Sequence, residues 1–308
     1  MSFLFSLLFC LICSQQQINA YSIASKRSYL KMDVGEDFPR LTTIQHSLGS
    51  SPPVLKQKTL PIPTNSPDTT SQSQLLFAPF WDHQLKVMNS RLANLQQVPA
   101  ATRTVDCSIQ YGKGGCCIVN ACFESDEFRK IRMTYYDDGR QAQVFNSLWY
   151  PRGDAPLLGI DLLQFGTKHL VGMDFQPLIW DHHAHARKAL KPIRLQYPSL
   201  QQQMSNRFYD ETQFFSPHIL FGRFQDSSII SRDVWPAYTQ ALDAYVELLS
   251  SITQSVRTTA TESVLERHAA YDKYSAERDP ALALFRAKFG PEWADEYVHE
   301  FLFDQCRQ

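Results

Sequence analysis

Hydrophobic and polar positions alternate along the middle of this chain, and apolar positions recur at helical spacing on either side. A two-residue period sends successive side chains to opposite faces of a strand, whereas a 3.6-residue period gathers apolar positions on one helix face. Five segments read as strands: 128–137, 141–150, 157–165, 169–175 and 214–224, the last interrupted by Pro217. Asp137-Asp138-Gly139 is a hairpin signal after the first, Pro151 stops the second, and Gly166-Thr167-Lys168 is a short turn after the third. Connections this short favour an antiparallel meander.

Residues 77–95 read as an entry turn and an amphipathic helix. Further helices are predicted over 179–190, 234–256, 262–278, 281–289 and 292–302, with Gly290-Pro291 separating the last two. Strands grouped centrally between helices predict an α+β fold whose sheet is covered on both faces.

One break in the helical pattern carries chemistry. Pro280 has no backbone N–H, and it disfavours helical dihedrals at Asp279, so the helix reaching Arg278 stops there and restarts. A carboxylate at such a break, flanked by apolar segments, either projects into a cavity as a proton donor or caps the next helix.

Asp161 lies in an otherwise apolar strand, Pro156-Leu157-Leu158-Gly159-Ile160-Asp161-Leu162-Leu163, and alternation puts Leu157, Gly159, Asp161 and Leu163 on one face. Gly159 leaves room beside the carboxylate for a flat ligand. Burial would raise the pKa of Asp161 and keep the proton that an acid must give; the alternative is an aspartate bonded to a neighbouring strand. Asp174 has a similar setting. Asn146, on the preceding strand, presents an amide to a ligand or to a neighbouring aspartate.

Other motifs are weaker. His182 and His185 share a helical face, without an evident third metal ligand, and read as a solvated helix start. Gly112-Lys113-Gly114-Gly115 fits neither a phosphate loop nor a dinucleotide fingerprint. Cys107, Cys116, Cys117 and Cys122 lack paired spacing for zinc or an iron–sulfur cluster. A redox enzyme built on this chain would draw its electrons from outside it.

Length and charge narrow the partners. The chain has 308 residues, with 30 basic against 31 acidic side chains, and no basic excess argues for nucleic acid. An acidic electron carrier would need a local basic patch, which net charge does not reveal. The apolar run at 3–13 is too short to span a bilayer and fits a secretory signal over 1–20, with Ala20 before the cleavage point. Residues 21–75, rich in Ser, Thr, Pro, Gln and Lys, read as a disordered arm or as a transit peptide behind that signal, the two-part address of plastids of secondary origin. An odd number of cysteines after a secretory signal points to a reducing final compartment. The folded domain is expected over 76–308.

Several motifs, in order, resemble the ferredoxin-dependent bilin reductases. They are Phe128-Arg129-Lys130, Asn146-Ser147 through Tyr150-Pro151, Pro156 to Leu163, Asp174-Phe175-Gln176-Pro177-Leu178, Phe214-Phe215-Ser216-Pro217, Leu220-Phe221-Gly222-Arg223, Tyr274-Ser275-Ala276-Glu277-Arg278-Asp279-Pro280-Ala281 and Glu300-Phe301-Leu302-Phe303. The resemblance covers nearly all of 76–308, and its wording is closest to the branch that reduces the 15,16 methine bridge of biliverdin IXα on the way to phycobilins. It implies a three-layer α/β/α sandwich with a central antiparallel sheet, the bilin lying between the sheet and the C-terminal helices. It also implies no bound cofactor or metal, with single electrons arriving from an external two-iron, two-sulfur ferredoxin. By position, Asp161 and Asp279 match the family's two aspartates, Asn146 matches the place of a histidine in the phycocyanobilin branch, and Thr134 the place of that branch's glutamate. Arg223 resembles an arginine that pairs with a bilin propionate. A plastid monomer is the expectation, without a membrane partner and with a downstream bilin reductase as a further partner. The rivals are an A-ring reductase that makes phycoerythrobilin and a bilin carrier without turnover.

Overall fold

The computed structural model describes residues 75–204, 213–253 and 262–307, together with the backbone of 28–34 and 39–45. The proposed signal lies outside the described residues, as does most of the arm. Within the arm, β1 (Ser28–Val34) and β2 (Pro39–Gln45) pair as an antiparallel ribbon with Ser28 opposite Gln45. The alternation of Leu30, Met32 and Val34 with Lys31 and Asp33 is the strand signal that a reading by composition passes over.

The folded part is built on one eight-stranded antiparallel sheet. Its strands are β3 (Gln96–Val98), β4 (Ile109–Tyr111), β5 (Cys117–Glu124), β6 (Phe128–Asp137), β7 (Ala142–Pro151), β8 (Leu157–Phe165), β9 (Lys168–Gln176) and β10 (Leu220–Phe224). The order is β10-β9-β8-β7-β6-β5-β3, with β4 also paired to β5. The meander from β6 to β9 matches the sequence expectation. β10 is shorter than predicted, because residues 214–219 turn to meet other groups before pairing begins. β5 is absent from the sequence expectation. It is a buried strand beside the sheet edge, and fully buried strands carry no alternation to read.

The helices are α1 (Ala78–Arg91), α2 (His182–Gln196), α3 (Trp235–Thr253), α4 (Glu262–Arg278), α5 (Ala281–Phe289) and α6 (Pro291–Glu296), the last continuing as a wider turn over Tyr297–Leu302. α2 runs past its predicted end, through Pro192. Leu190 and Ile193 bury against the sheet on either side of it, and that packing offsets a proline cost of about 3 kcal/mol.

The two faces of the sheet differ in chemistry. Val119, Met133, Phe145, Ile160 and Val171 join α1, α2 and α3 in one apolar core, each large side chain contributing roughly 1.5–3 kcal/mol by burial. The other face lies under α4, α5, α6 and the C-terminal turn. There Asn120, Arg132, Thr134, Asn146, Asp161 and Asp174 are all buried. A buried polar group is costly unless it is bonded, so this face invites an account of every partner.

Candidate active site

Strand register assembles the site. Asn120 stands opposite Thr134, Thr134 opposite Asn146, and Asn146 opposite Asp161, one residue from each of β5, β6, β7 and β8. Side chains of directly opposed residues share a face, so the four form a polar row across the sheet. Thr134 Oγ1 and the Tyr297 hydroxyl both donate to Asn120 Oδ1, at 2.7 and 2.8 Å. That end of the row is tied to the C-terminal turn.

The other end is held by an arginine that the sequence reading missed. Arg132 Nη1 donates to Asn146 Oδ1 at 2.7 Å. A guanidinium only donates, so the Asn146 oxygen faces Arg132 and its amide nitrogen faces away. That nitrogen donates to Asp161 Oδ1 and, at 3.4 Å, to the Ile160 carbonyl. Of the two roles open to Asn146, the structure shows the bond to a neighbouring aspartate. Arg132 lies inside a strand predicted from its apolar neighbours, and no local feature of the sequence marks it.

Asp161 is 5% exposed. Burial pushes its carboxyl well above the usual carboxylate range, and the charge of Asp279 pushes the same way, against the Asn146 N–H and Arg132. The protonated acid is thereby favoured at rest. With Oδ1 accepting from Asn146, the proton belongs on Oδ2.

Asp279 approaches from the helical layer. α4 ends at Arg278 and α5 begins at Ala281, so the proline break falls where it was predicted. Asp279 Oδ1 accepts the Ala281 N–H at 2.8 Å, and the residue is 6% exposed. Of the two alternatives for this carboxylate the structure shows the cap on the restarting helix, and the charge of Asp279 is also felt at Asp161.

Asp174 separates from this pair. Its two oxygens accept the Ser216 N–H at 2.7 Å and the Ser216 hydroxyl at 2.5 Å. Burial pushes its pKa up to about 7, against those bonds, but both oxygens are engaged in fixing the 214–219 segment. Gly159 also differs from expectation. A Cβ there would lie 2.8 Å from Gln176 Oε1, so the missing side chain makes room for the Gln176 amide and not for an open slot. Gln176 in turn accepts the Tyr271 hydroxyl at 2.9 Å.

Arg223 lies on edge strand β10, opposite Leu170 and two residues along from Phe221, which stands level with Gly172 and hence with the Asp161 row. Strand spacing puts it roughly 12 Å from Asp161 along the sheet. It packs over the Phe221 ring at 5.0 Å, and its backbone bonds Gln202. Burial depresses its pKa, and no carboxylate offsets that effect among the described residues. An exposed cation at the edge of this face, without a carboxylate acting on it among the described residues, suits an anionic group of a ligand.

A salt-bridged cluster closes the far side. Lys130 Nζ donates to the Phe301 carbonyl at 2.5 Å and lies 3.2 Å from Asp304, which Arg129 also binds at 3.0 Å. Tyr150 donates to Asp272 at 2.5 Å, and Gln305 N–H caps the other oxygen at 3.0 Å. Burial and Asp304 raise Asp272 to about 6. The residues after the last helix are thereby clamped to β6 and β7.

His182 departs from the expected solvated helix start, whereas His183 and His185 stay half-buried. His182 is 2% exposed, with Nε2 3.0 Å from Asp154 and Nδ1 accepting the Leu178 N–H at 3.2 Å. Both ring nitrogens are engaged, and the run lies at a helix start as predicted. The cysteines are divided by strand alternation: Cys117 packs into the apolar core and Cys122 into the other. Burial pushes the Cys107 and Cys117 thiols up to about 12, which makes them poor nucleophiles. Among the described residues no three metal-binding side chains converge.

A buried acid thus lies in the field of a second carboxylate, between a polar sheet face and a helical layer. The profile of the ferredoxin-dependent bilin reductases matches residues 83–304, and the chain belongs to that family. Among its relatives is a 15,16-dihydrobiliverdin:ferredoxin oxidoreductase of Gloeobacter violaceus, 40% identical over 75% of this chain and 96% of the relative. A phycoerythrobilin:ferredoxin oxidoreductase of Nostoc punctiforme is 34% identical over 76% of this chain and 94% of the relative. The fold is shared with tomato phytochromobilin synthase, solved in complex with biliverdin, at a TM-score of 0.64 and 16% identity over 75% of this chain and 84% of the other.

Proposed function

We propose that this protein reduces the 15,16 methine bridge of biliverdin IXα to 15,16-dihydrobiliverdin, with reduced ferredoxin as the electron donor. Two ferredoxins are oxidised, one electron each, and two protons complete the new C–H bonds. The observation that carries the reading is the burial of Asp161 beside Asn146, in surroundings that favour its protonated form and within the field of a second carboxylate, Asp279. An acid in this state gives its proton to a bilin radical without drawing one from water. After transfer, the Asp161 carboxylate is held by the Asn146 N–H and by the field of Arg132.

Asp279 is the second proton donor, from the helical side. Asn146 acts through Asp161, orienting it, and Arg223 anchors a propionate. The family's dependence on ferredoxin supplies the electrons. The identity to 15,16-dihydrobiliverdin:ferredoxin oxidoreductases supports this bond over the A-ring.

The test is an anaerobic incubation with biliverdin, reduced ferredoxin and a regenerating system, followed by absorbance and chromatography. A dihydrobiliverdin product is expected. Conversion only of added dihydrobiliverdin would move the chain to the A-ring branch, and binding without conversion would make it a carrier.

The apolar run at 3–13 and the Ser/Thr/Pro-rich stretch behind it support delivery to a plastid through a signal peptide followed by a transit peptide. Residues 1–75 fused to a fluorescent protein should reach that compartment in an alga with secondary plastids; retention in the secretory pathway would refute it.

A further inference from the structure

From His182 to Tyr209 the sequence holds no aspartate or glutamate, in a chain whose charges otherwise nearly balance. Apart from Arg207, the basic side chains of this stretch fall on α2. At 100° per residue, His183, Arg194, Arg187, Lys191, Leu195 and Lys188 follow one another around a single arc of that helix. Ala186, Leu190 and Ile193 occupy the adjoining side and are buried in the sheet core. Arg187, Lys188 and Lys191 are exposed, and none is in an ion pair among the described residues.

The arc is continuous with groups from outside the helix. His218, outside the helix, is pushed down by burial, then by Arg194, Lys191, Arg187 and His183, so it lies within the field of this arc. Two exposed apolar side chains flank them: Trp180, 84% exposed and 5.3 Å from the His183 ring, and Leu195, 65% exposed. They are the two most exposed large apolar residues among those described. A strip of unpaired cations carrying an aromatic and an aliphatic anchor has the make-up of a protein-docking surface.

Its position matters. Arg194 donates to the Pro217 and Gln201 carbonyls at 3.2 and 2.7 Å, which fixes the end of α2 to the segment whose Ser216 holds Asp174. Beyond it, β10 packs so closely on the 198–200 turn that a Cβ on Gly222 would meet Ser199 O at 2.5 Å. The strip therefore borders the sheet edge that carries Arg223.

We propose that the exposed face of α2, with Trp180 and Leu195, is the docking surface for the acidic ferredoxin that delivers the electrons. This rests on the reductase reading for the identity of the partner. Opposite charge steers a carrier to this face, and the apolar anchors seat it. Each encounter passes one electron from the reduced cluster towards the bilin at the Arg223 edge, leaves the cluster oxidised, and is repeated once per turnover.

The test is direct binding of ferredoxin by calorimetry, with the full protein, R187E/K191E and W180A. The double variant should weaken binding at least tenfold and flatten its dependence on salt, and W180A should weaken it at constant salt dependence. K86E, an equal-sign reversal on the exposed side of α1, should change affinity less than threefold. Unchanged affinity in the double variant, or an equal loss in K86E, would overturn the surface. Turnover separates the two readings: with a small-molecule reductant in place of ferredoxin, R187E/K191E should convert biliverdin at the wild-type rate. A wild-type protein that converts no bilin with either reductant defeats the function, while the binding series still decides the surface.

Discussion

Asn146 stands directly opposite Asp161 in the register of β7 and β8, and its amide nitrogen donates to Asp161 Oδ1. The oxygen of that same amide is taken by Arg132 at 2.7 Å, so the amide has one orientation. Asp161→Asn removes the transferable proton and keeps the shape. Turnover should fall by about 10²–10⁴-fold, with biliverdin affinity, read by absorbance titration, within threefold of wild type. Asp279→Asn should also slow turnover. Wild-type rates in both variants would remove the two assigned roles.

Arg132 predicts a shift in pH dependence. Its positive charge opposes the rise in the Asp161 pKa, so Arg132→Met should raise that pKa further. The acid then stays protonated to higher pH, and the alkaline limb of the kcat profile should move upward. A purely structural role would lower activity equally at every pH.

Arg223→Gln should raise KM for biliverdin roughly 10–100-fold, the worth of one charge-assisted bond, and leave kcat nearly unchanged. Biliverdin dimethyl ester lacks the anion. It should bind wild type and variant alike, and a persistent difference with the ester would remove the propionate contact.

Asp174 sets a stability prediction. Burial raises its folded pKa to about 7, whereas an unfolded aspartate titrates near 3.9. Between these values the unfolded chain has lost a proton that the folded chain keeps. Stability is therefore fully present at low pH and falls as pH rises through 7, by about 4 kcal/mol from this group. Asp174→Asn should flatten that slope in denaturant titrations across pH 4–7. A slope left intact would assign it to Asp161 or Asp272, whose pKa values are also raised.

The meander from β6 to β9 and the break at Asp279 were legible because each rests on local rules: alternation, a tight turn, a proline. Asp161 was legible as a lone carboxylate among apolar neighbours. Arg132 was not, because its meaning lies in a diagonal contact with the next strand, and nothing local distinguishes it from Lys130 or Arg129. The slot beside Gly159 was misread for the same reason. Spacing shows a missing side chain but not that Gln176, on the strand paired with it, would fill the gap. Gly159→Ala should accordingly cost about 1–3 kcal/mol by displacing Gln176, measured by thermal unfolding, and Gln176→Ala in the same chain should recover part of it.

The row of Asn120, Thr134, Asn146 and Asp161 takes one residue from each of four neighbouring strands, and all four point away from the apolar core. An exchange at one of these positions alters what two adjacent side chains meet and leaves the packing beneath untouched. Selection can therefore retune this polar face one substitution at a time, with each intermediate sequence still able to fold.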